Sequence, residues 1–190
     1  MNRRNFLQAA GGAVFNAALV GGIGANILVP AYATQPSVAR APAEARQLAF
    51  LNTHTGDTFS DAYWVNGDYI PDAMAAIDHV MRDHRSGETH AIDPRLLDQL
   101  HTLKGLVSAS APFQIISGYR SPTTNAALHA NSSGVASRSL HMDGRAIDIR
   151  VGGVELPRLR DAALGMRAGG VGYYEASDFI HVDTGRVRRW

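Results

Sequence analysis

A chain of 190 residues, 45% hydrophobic and 18% charged, has the length for one sizeable core and not comfortably for two. Its net charge of +1 gives no electrostatic footprint for a nucleic-acid partner, and its ordinary apolar content argues against disorder. The absence of cysteine excludes disulfides, a thiolate nucleophile, Cys-ligated zinc and iron–sulfur clusters, so any metal site must draw on Asp, Glu and the 8 His.

Residues 1–33 read as an address. Arg3-Arg4 ahead of Phe6-Leu7 resemble a twin-arginine export signal. A Gly- and Ala-rich apolar run from about Ala9 to Val29 follows, without an acidic residue, and closes in the cleavage pattern Ala31-Tyr32-Ala33. The run is about long enough to stay as a membrane anchor, but its glycines and its Ala-x-Ala end favour removal. Export through the twin-arginine translocase would put the mature protein in the periplasm. Losing Arg3 and Arg4 would move its net charge from +1 to −1. Residues 34–47 are polar and Pro-punctuated, a linker, and residues 48–190 are the domain.

Leu48 and Phe50 predict a first strand, Thr53–Asp57 a turn, and Thr58–Trp64 a second strand that completes a hairpin. Ala73, Ile77, Val80 and Met81 make one stripe of a helix over Asp72–His84. Asp93-Pro94 starts another helix, with Leu96, Leu97, Leu100, Leu103 and Val107 on its apolar face. Strands are predicted at Phe113–Ser117, Ala146–Val151, Val171–Tyr174 and Phe179–Thr184, with a helix over Leu156–Ala168. Helices gathered early and strands late predict an α+β fold with a small, mostly antiparallel sheet flanked by helices. A monomer is expected.

Chemistry concentrates in three segments: Ser117–Pro122, Ser139–Asp148 and Asp178–Gly185. Gly144 permits a tight bend that folds His141 back over the strand carrying Asp148. Asp148 sits opposite the apolar face of Ile147 and Ile149, where a carboxylate needs a neutralising partner: a divalent cation, or Arg150 on the same face. On the later strand His181 and Asp183 share a face. Two His and one Asp, with a fourth position open, make the arrangement of a catalytic zinc site.

Ser139-x-His141-x-x-Gly144-x-Ala146-x-Asp148, followed by His181, resembles the metal-binding signature of the D-Ala-D-Ala metallopeptidase superfamily, which includes phage L-Ala-D-Glu endopeptidases and the Hedgehog signalling domain. Asn52–Gly56, Ser117–Pro122, Gly169–Tyr174 and His181–Gly185 are similar, more narrowly, to the murein endopeptidase K family, and the likeness runs from about residue 48 to Trp190. The resemblance implies Zn²⁺ held by His141, Asp148 and His181, and hydrolysis of peptide cross-bridges in peptidoglycan, with links between two diaminopimelate residues as the suggested substrate. Mn²⁺ or Fe²⁺ would tolerate the same ligands.

Two acids compete for the role of general base. Related dipeptidases and phage endopeptidases carry an acid three residues before the last ligand, here Asp178; strand geometry favours Asp183, whose alternative role is to orient a ligand. Arg120 would clamp a substrate carboxylate or support an oxyanion, or else pair with a sheet aspartate. His79, His84, His90, His101 and His129 read as solvated, His54 has no assignable partner, and Arg186, Arg188 and Arg189 read as a charged tail before Trp190. The rival functions are a D,D- or L,D-carboxypeptidase with the same metal and a zinc-containing wall-binding module without turnover.

Overall fold

The computed structural model describes residues 44–131 and 136–190, so the expected export signal and most of the linker lie outside the described residues. The elements run β1 (Ala45–Asn52), β2 (Thr58–Val65), β3 (Asp68–Tyr69), α1 (Pro71–Val80), α2 (Pro94–Leu106), β4 (Phe113–Ser117), α3 (Pro122–Asn131), a 3₁₀ turn (Leu140–Asp143), β5 (Ala146–Val151), α4 (Leu156–Met166), β6 (Gly170–Tyr174), β7 (Phe179–Asp183) and β8 (Arg188–Arg189). The strands form one sheet in the order β3-β2-β1-β4-β5-β7-β6-β8. Only β1–β4 and β6–β8 pair in parallel; the other neighbours are antiparallel. This is the α+β class expected, with a wider sheet. No helix among the described residues is long and apolar enough to cross a membrane.

Alternation decides which face is covered. Ile147 and Ile149 of β5 and Ile180 and Val182 of β7 join Leu48 and Phe50 of β1 in a core closed by α1, α2 and α4. Leu96, Leu97, Leu100 and Leu103 of α2 are fully buried in it, each contributing about 2 kcal/mol by removal from water. Asp93 caps α2 as expected, its side chain accepting from the Arg95 N–H. The opposite face of β4, β5, β7 and β6 carries the polar members of the alternation.

Several boundaries differ from expectation for identifiable reasons. β1 starts at Ala45, inside the expected linker, where Ala45 and Arg46 pair with Val65 and Trp64 and Arg46 meets Asp98 at 2.8 Å. α1 stops at Val80 because the chain beyond it is needed elsewhere: the Met81 carbonyl accepts from Tyr119 N–H at 2.7 Å, and the Asp83 carboxylate accepts from Ser121 and Arg85 N–H at 2.9 Å each. α4 ends at Met166, where Arg167 turns to φ 52°. α3 was not anticipated, although Ser121-Pro122 is a start signal, and the Ser121 hydroxyl does accept from Thr124 N–H at 3.2 Å.

Candidate metal centre

Strand register builds the site. Asp148 of β5 lies directly opposite His181 of β7, and His181 directly opposite Gly172 of β6. On the other side Asp148 pairs with Ser117, the last residue of β4. The turn after Ser117 brings Arg120 to the same row, and the Arg120 N–H donates to the His141 carbonyl at 3.1 Å. His141 arrives on the 3₁₀ turn, which Gly144 ends at φ 64°, a left-handed position that favours glycine. The three expected ligands are therefore gathered from β5, β7 and one tight turn.

Their donor atoms converge. His141 Nε2 is 3.2 Å from His181 Nδ1, which is 2.9 Å from Asp148 Oδ1; the third edge, His141 Nε2 to Asp148 Oδ1, is 3.3 Å. The outer nitrogens fix the tautomers. His141 Nδ1 meets the Gly118 carbonyl at 2.7 Å and His181 Nε2 meets Asp183 Oδ2 at 2.9 Å, and both partners can only accept. Both outer nitrogens must donate, so both inner nitrogens of the neutral rings present lone pairs, and Asp148 adds another. Three buried acceptors facing one another are unfavourable unless a cation sits among them. Four-coordinate zinc with ligand bonds near 2.0–2.1 Å spaces its donors about 3.3 Å apart, which this triangle fits.

Without an ion, protons on the rings answer the same demand for positive charge, and the pKa directions follow from them. Burial pushes the Asp148 pKa up, but His141 and His181 outweigh it and hold the carboxyl well below the usual range. Burial pushes His181 down, and hydrogen bonds and charge from Asp148 and Asp183 outweigh it, for a net rise. The pair calls for positive charge.

The triangle opens onto a pocket of ≈ 440 Å³, whose walls include Arg120, Arg138, Tyr174, Phe179 and Trp190. Arg120 is largely buried, its Nη2 3.9 Å from Asp148 Oδ2 and 3.3 Å from the Ser117 hydroxyl, while its Nε has no hydrogen-bond partner. Burial pulls its pKa down against the opposing pull of Asp148. Of the expected alternatives for Arg120, the lean on a sheet aspartate is present. Arg150 does not neutralise Asp148; it turns away to Gln114 at 2.7 Å and Asp178 at 3.2 Å.

The two candidate general bases are placed differently from one another. Asp183 is fully buried on the far side of the His181 ring from the ligand triangle. Its Oδ1 accepts from the N–H groups of Gly170 (3.0 Å) and Gly185 (2.8 Å), and Arg188 clamps both oxygens at 3.1 and 2.7 Å. Those donors outweigh burial and keep its pKa below the usual range. Its oxygens are occupied by these donors and by His181, the contacts of a group that orients a neighbouring ring. Asp178 is exposed, sits at φ 52° before β7 and points to Arg150 over a neighbouring groove. Among the described residues, the only carboxylate lining the metal pocket is Asp148 itself.

The C-terminal segment was undervalued. Instead of a tail, Arg188 and Arg189 form β8 beside β6, Arg188 holds Asp183, and Trp190 stands 5.2 Å from the His181 ring. The available signal was Gly172, opposite His181, which leaves a space that only another side chain can cover. Of the histidines expected to be solvated, His79, His90 and His129 are exposed and His84 and His101 half-buried; His54, for which no partner was expected, stacks on His84 at 3.8 Å, and His90 on Tyr119 at 4.9 Å.

Comparison with known proteins agrees with this geometry. The family described as Peptidoglycan L,D-endopeptidase MepK matches residues 40–190. The Peptidoglycan L,D-endopeptidase MepK of Escherichia coli (strain K12) is 42% identical over 189 residues, covering 100% of this chain and 97% of the relative, and that of Shigella flexneri gives the same figures. A Probable peptidoglycan L,D-endopeptidase MepK from Haemophilus influenzae is 41% identical over 146 residues, 76% of this chain and 78% of the relative.

Proposed function

The chain belongs to the peptidoglycan L,D-endopeptidase MepK family, and from that premise we propose that it is a zinc-dependent murein endopeptidase cutting peptide cross-links of the cell wall, with links between two diaminopimelate residues as its substrate. The observation that carries this reading is the set of three buried lone pairs, on His141, Asp148 and His181, at the floor of an open pocket. His141, Asp148 and His181 would hold the ion. Zinc bound there supplies Lewis-acid chemistry, acidifying a water and polarising a peptide carbonyl.

The protein's own groups do the rest. Gly118 and Asp183 keep the inner nitrogens of both histidines unprotonated by holding protons on the outer ones. Arg120, whose side chain lines the pocket, meets an anionic group of the substrate; a link from an L-centre to a D-centre carries a free carboxylate beside the scissile nitrogen, which a guanidinium fork fits. Access to such a substrate requires export, for which residues 1–33 act as a twin-arginine signal; Arg3→Lys with Arg4→Lys should leave precursor in the cytoplasm.

Digestion of sacculi by the purified protein, with and without chelator and with zinc restored, is the test. Loss of cross-linked muropeptide dimers, abolished by chelator and restored by zinc, is expected. Shortened monomers with dimers intact would instead establish a carboxypeptidase, and binding to sacculi with no product released would establish a wall-binding module.

A further inference from the structure

An apolar wall stands over the metal floor. Trp190 is 50% exposed, yet its ring and backbone are held in place. Its indole lies over Gly172, where an added Cβ would meet ring atoms at 2.8–2.9 Å. Its Nε1–H donates to the Tyr174 hydroxyl at 2.8 Å, and its backbone pairs with Val171 (3.3 Å) and Tyr173 (3.1 Å) of β6. The Arg188 guanidinium stacks on the ring at 4.9 Å. Tyr174 stacks in turn on Phe179 at 4.6 Å, which extends the aromatic surface. A single exposed aromatic needs no explanation, but one immobilised at the edge of a pocket is preorganised to receive an apolar group.

Position decides what that group is. The indole centre lies 5.2 Å from the His181 ring, within one residue's reach of a bond held at the ligand triangle. A glycan strand is too far: the stem peptide interposes two residues between it and a cross-linked diamino acid, about 7 Å of extended chain. The group at the wall is therefore a side chain flanking the cut. Resting on the endopeptidase reading above, we infer that Trp190, with Tyr174 and Phe179, receives the methylene stem of the diaminopimelate beside the scissile bond and is a specificity-determining residue of the enzyme.

The chain has two tryptophans, so Trp64→Phe, which replaces the ring under Arg46 on β2, leaves Trp190 as the only indole. In that background the probe is an inert cross-linked dimer peptide whose scissile amide is reduced to a methyleneamine. Its titration should shift indole emission saturably, and a matched probe with alanine for the flanking diaminopimelate should bind about tenfold more weakly. Trp190→Ala should raise KM for the diaminopimelate link about tenfold with kcat within about threefold, erasing the preference over the alanine substrate. Trp190→Phe should keep most of it, and metal content and circular dichroism should not change. Emission unmoved at saturation, or an unchanged preference in Trp190→Ala beside an active wild type, would overturn the inference. A wild type that cleaves neither substrate yet binds the inert dimer with shifted emission would remove the endopeptidase reading and leave the wall standing.

Discussion

Asp83 and Asp148 are both buried carboxylates, 1% and 7% exposed, and in both the pKa is driven below the usual range against the opposing push of burial. Their partners differ. Asp83 accepts from groups that donate to it, the N–H of Ser121 and of Arg85 with the Thr124 and Ser121 hydroxyls beside them, and so closes a local network that ties the end of α1 to the start of α3. Asp148 faces two imidazole nitrogens whose tautomers are fixed by Gly118 and Asp183, so that acceptor meets acceptor. A satisfied carboxylate is scaffold. One surrounded by lone pairs is a site awaiting a cation, and burial alone would not have told them apart.

The contrast breaks most severely at the triangle. His141→Ala, Asp148→Ala or His181→Ala each removes one of three ligands, and hydrolysis of muropeptide dimers should fall by about a thousandfold or more, with bound metal lost on dialysis. Elemental analysis beside the digestion assay measures both. Next comes Asp183→Asn, which sets an amide N–H among the donors from Gly170, Gly185, Arg188 and His181. Metal affinity should drop about 10- to 100-fold, and excess zinc should recover activity. Recovery separates an orienting role from that of a general base, which zinc would not replace. Arg120→Gln should act differently again, raising KM about tenfold or more for a cross-link bearing the free carboxylate, with metal content unchanged.

How far these differences could be read from the chain depends on how local their causes are. The convergence of Asp148 and His181 is legible because alternation along Ala146–Val151 and Phe179–Asp183 puts them on one face and Ile147, Ile149, Ile180 and Val182 on the other. The same alternation misled at Asp183: it shares a face with His181, but only the registered neighbours reveal that Gly170, Gly185 and Arg188 already occupy its oxygens. Likewise the helical stripe through Val80 and Met81 carries no sign that Tyr119 takes the Met81 carbonyl. β8 is two residues long and pairs with β6, so no periodicity marks it, and Trp190 reads as a side chain that tucks onto the domain with no sign that it lands beside His181. Contacts across the sheet or back from a turn, which alternation does not encode, decided each case that patterning missed.

On the scaffold side, Asp83→Asn should lower stability by about 1–3 kcal/mol, since one carboxylate oxygen becomes a donor facing a buried N–H. Denaturant unfolding measures that loss, and zinc affinity of the folded fraction should be unchanged, the reverse of Asp183→Asn.

The smallest effect sharpens the comparison through a histidine that has no role at the triangle. His84 lies against His54, with Arg85 and Arg120 nearby; burial, then these positive neighbours, push its pKa down to about 4 despite Asp83. Its unfolded value is about 6.5, so between those limits the unfolded chain binds the extra proton. The stability linked to His84 is therefore complete above pH 6.5 and is lost as the pH falls through about 4. Because the group is partly exposed, solvent screens much of the effect, and the expected loss of Tm from pH 7 to pH 4.5 is about 2–4 °C. His84→Phe keeps the stack on His54 and removes the proton, so its zinc-loaded form, in which His181 does not titrate, should show a flatter profile over that window. Equal slopes in wild type and His84→Phe would overturn this assignment and place the sensitivity at another histidine such as His101, whose pKa burial also pulls down, because the carboxylates lose their contribution only below an unfolded value near 4 and cannot supply a slope above it.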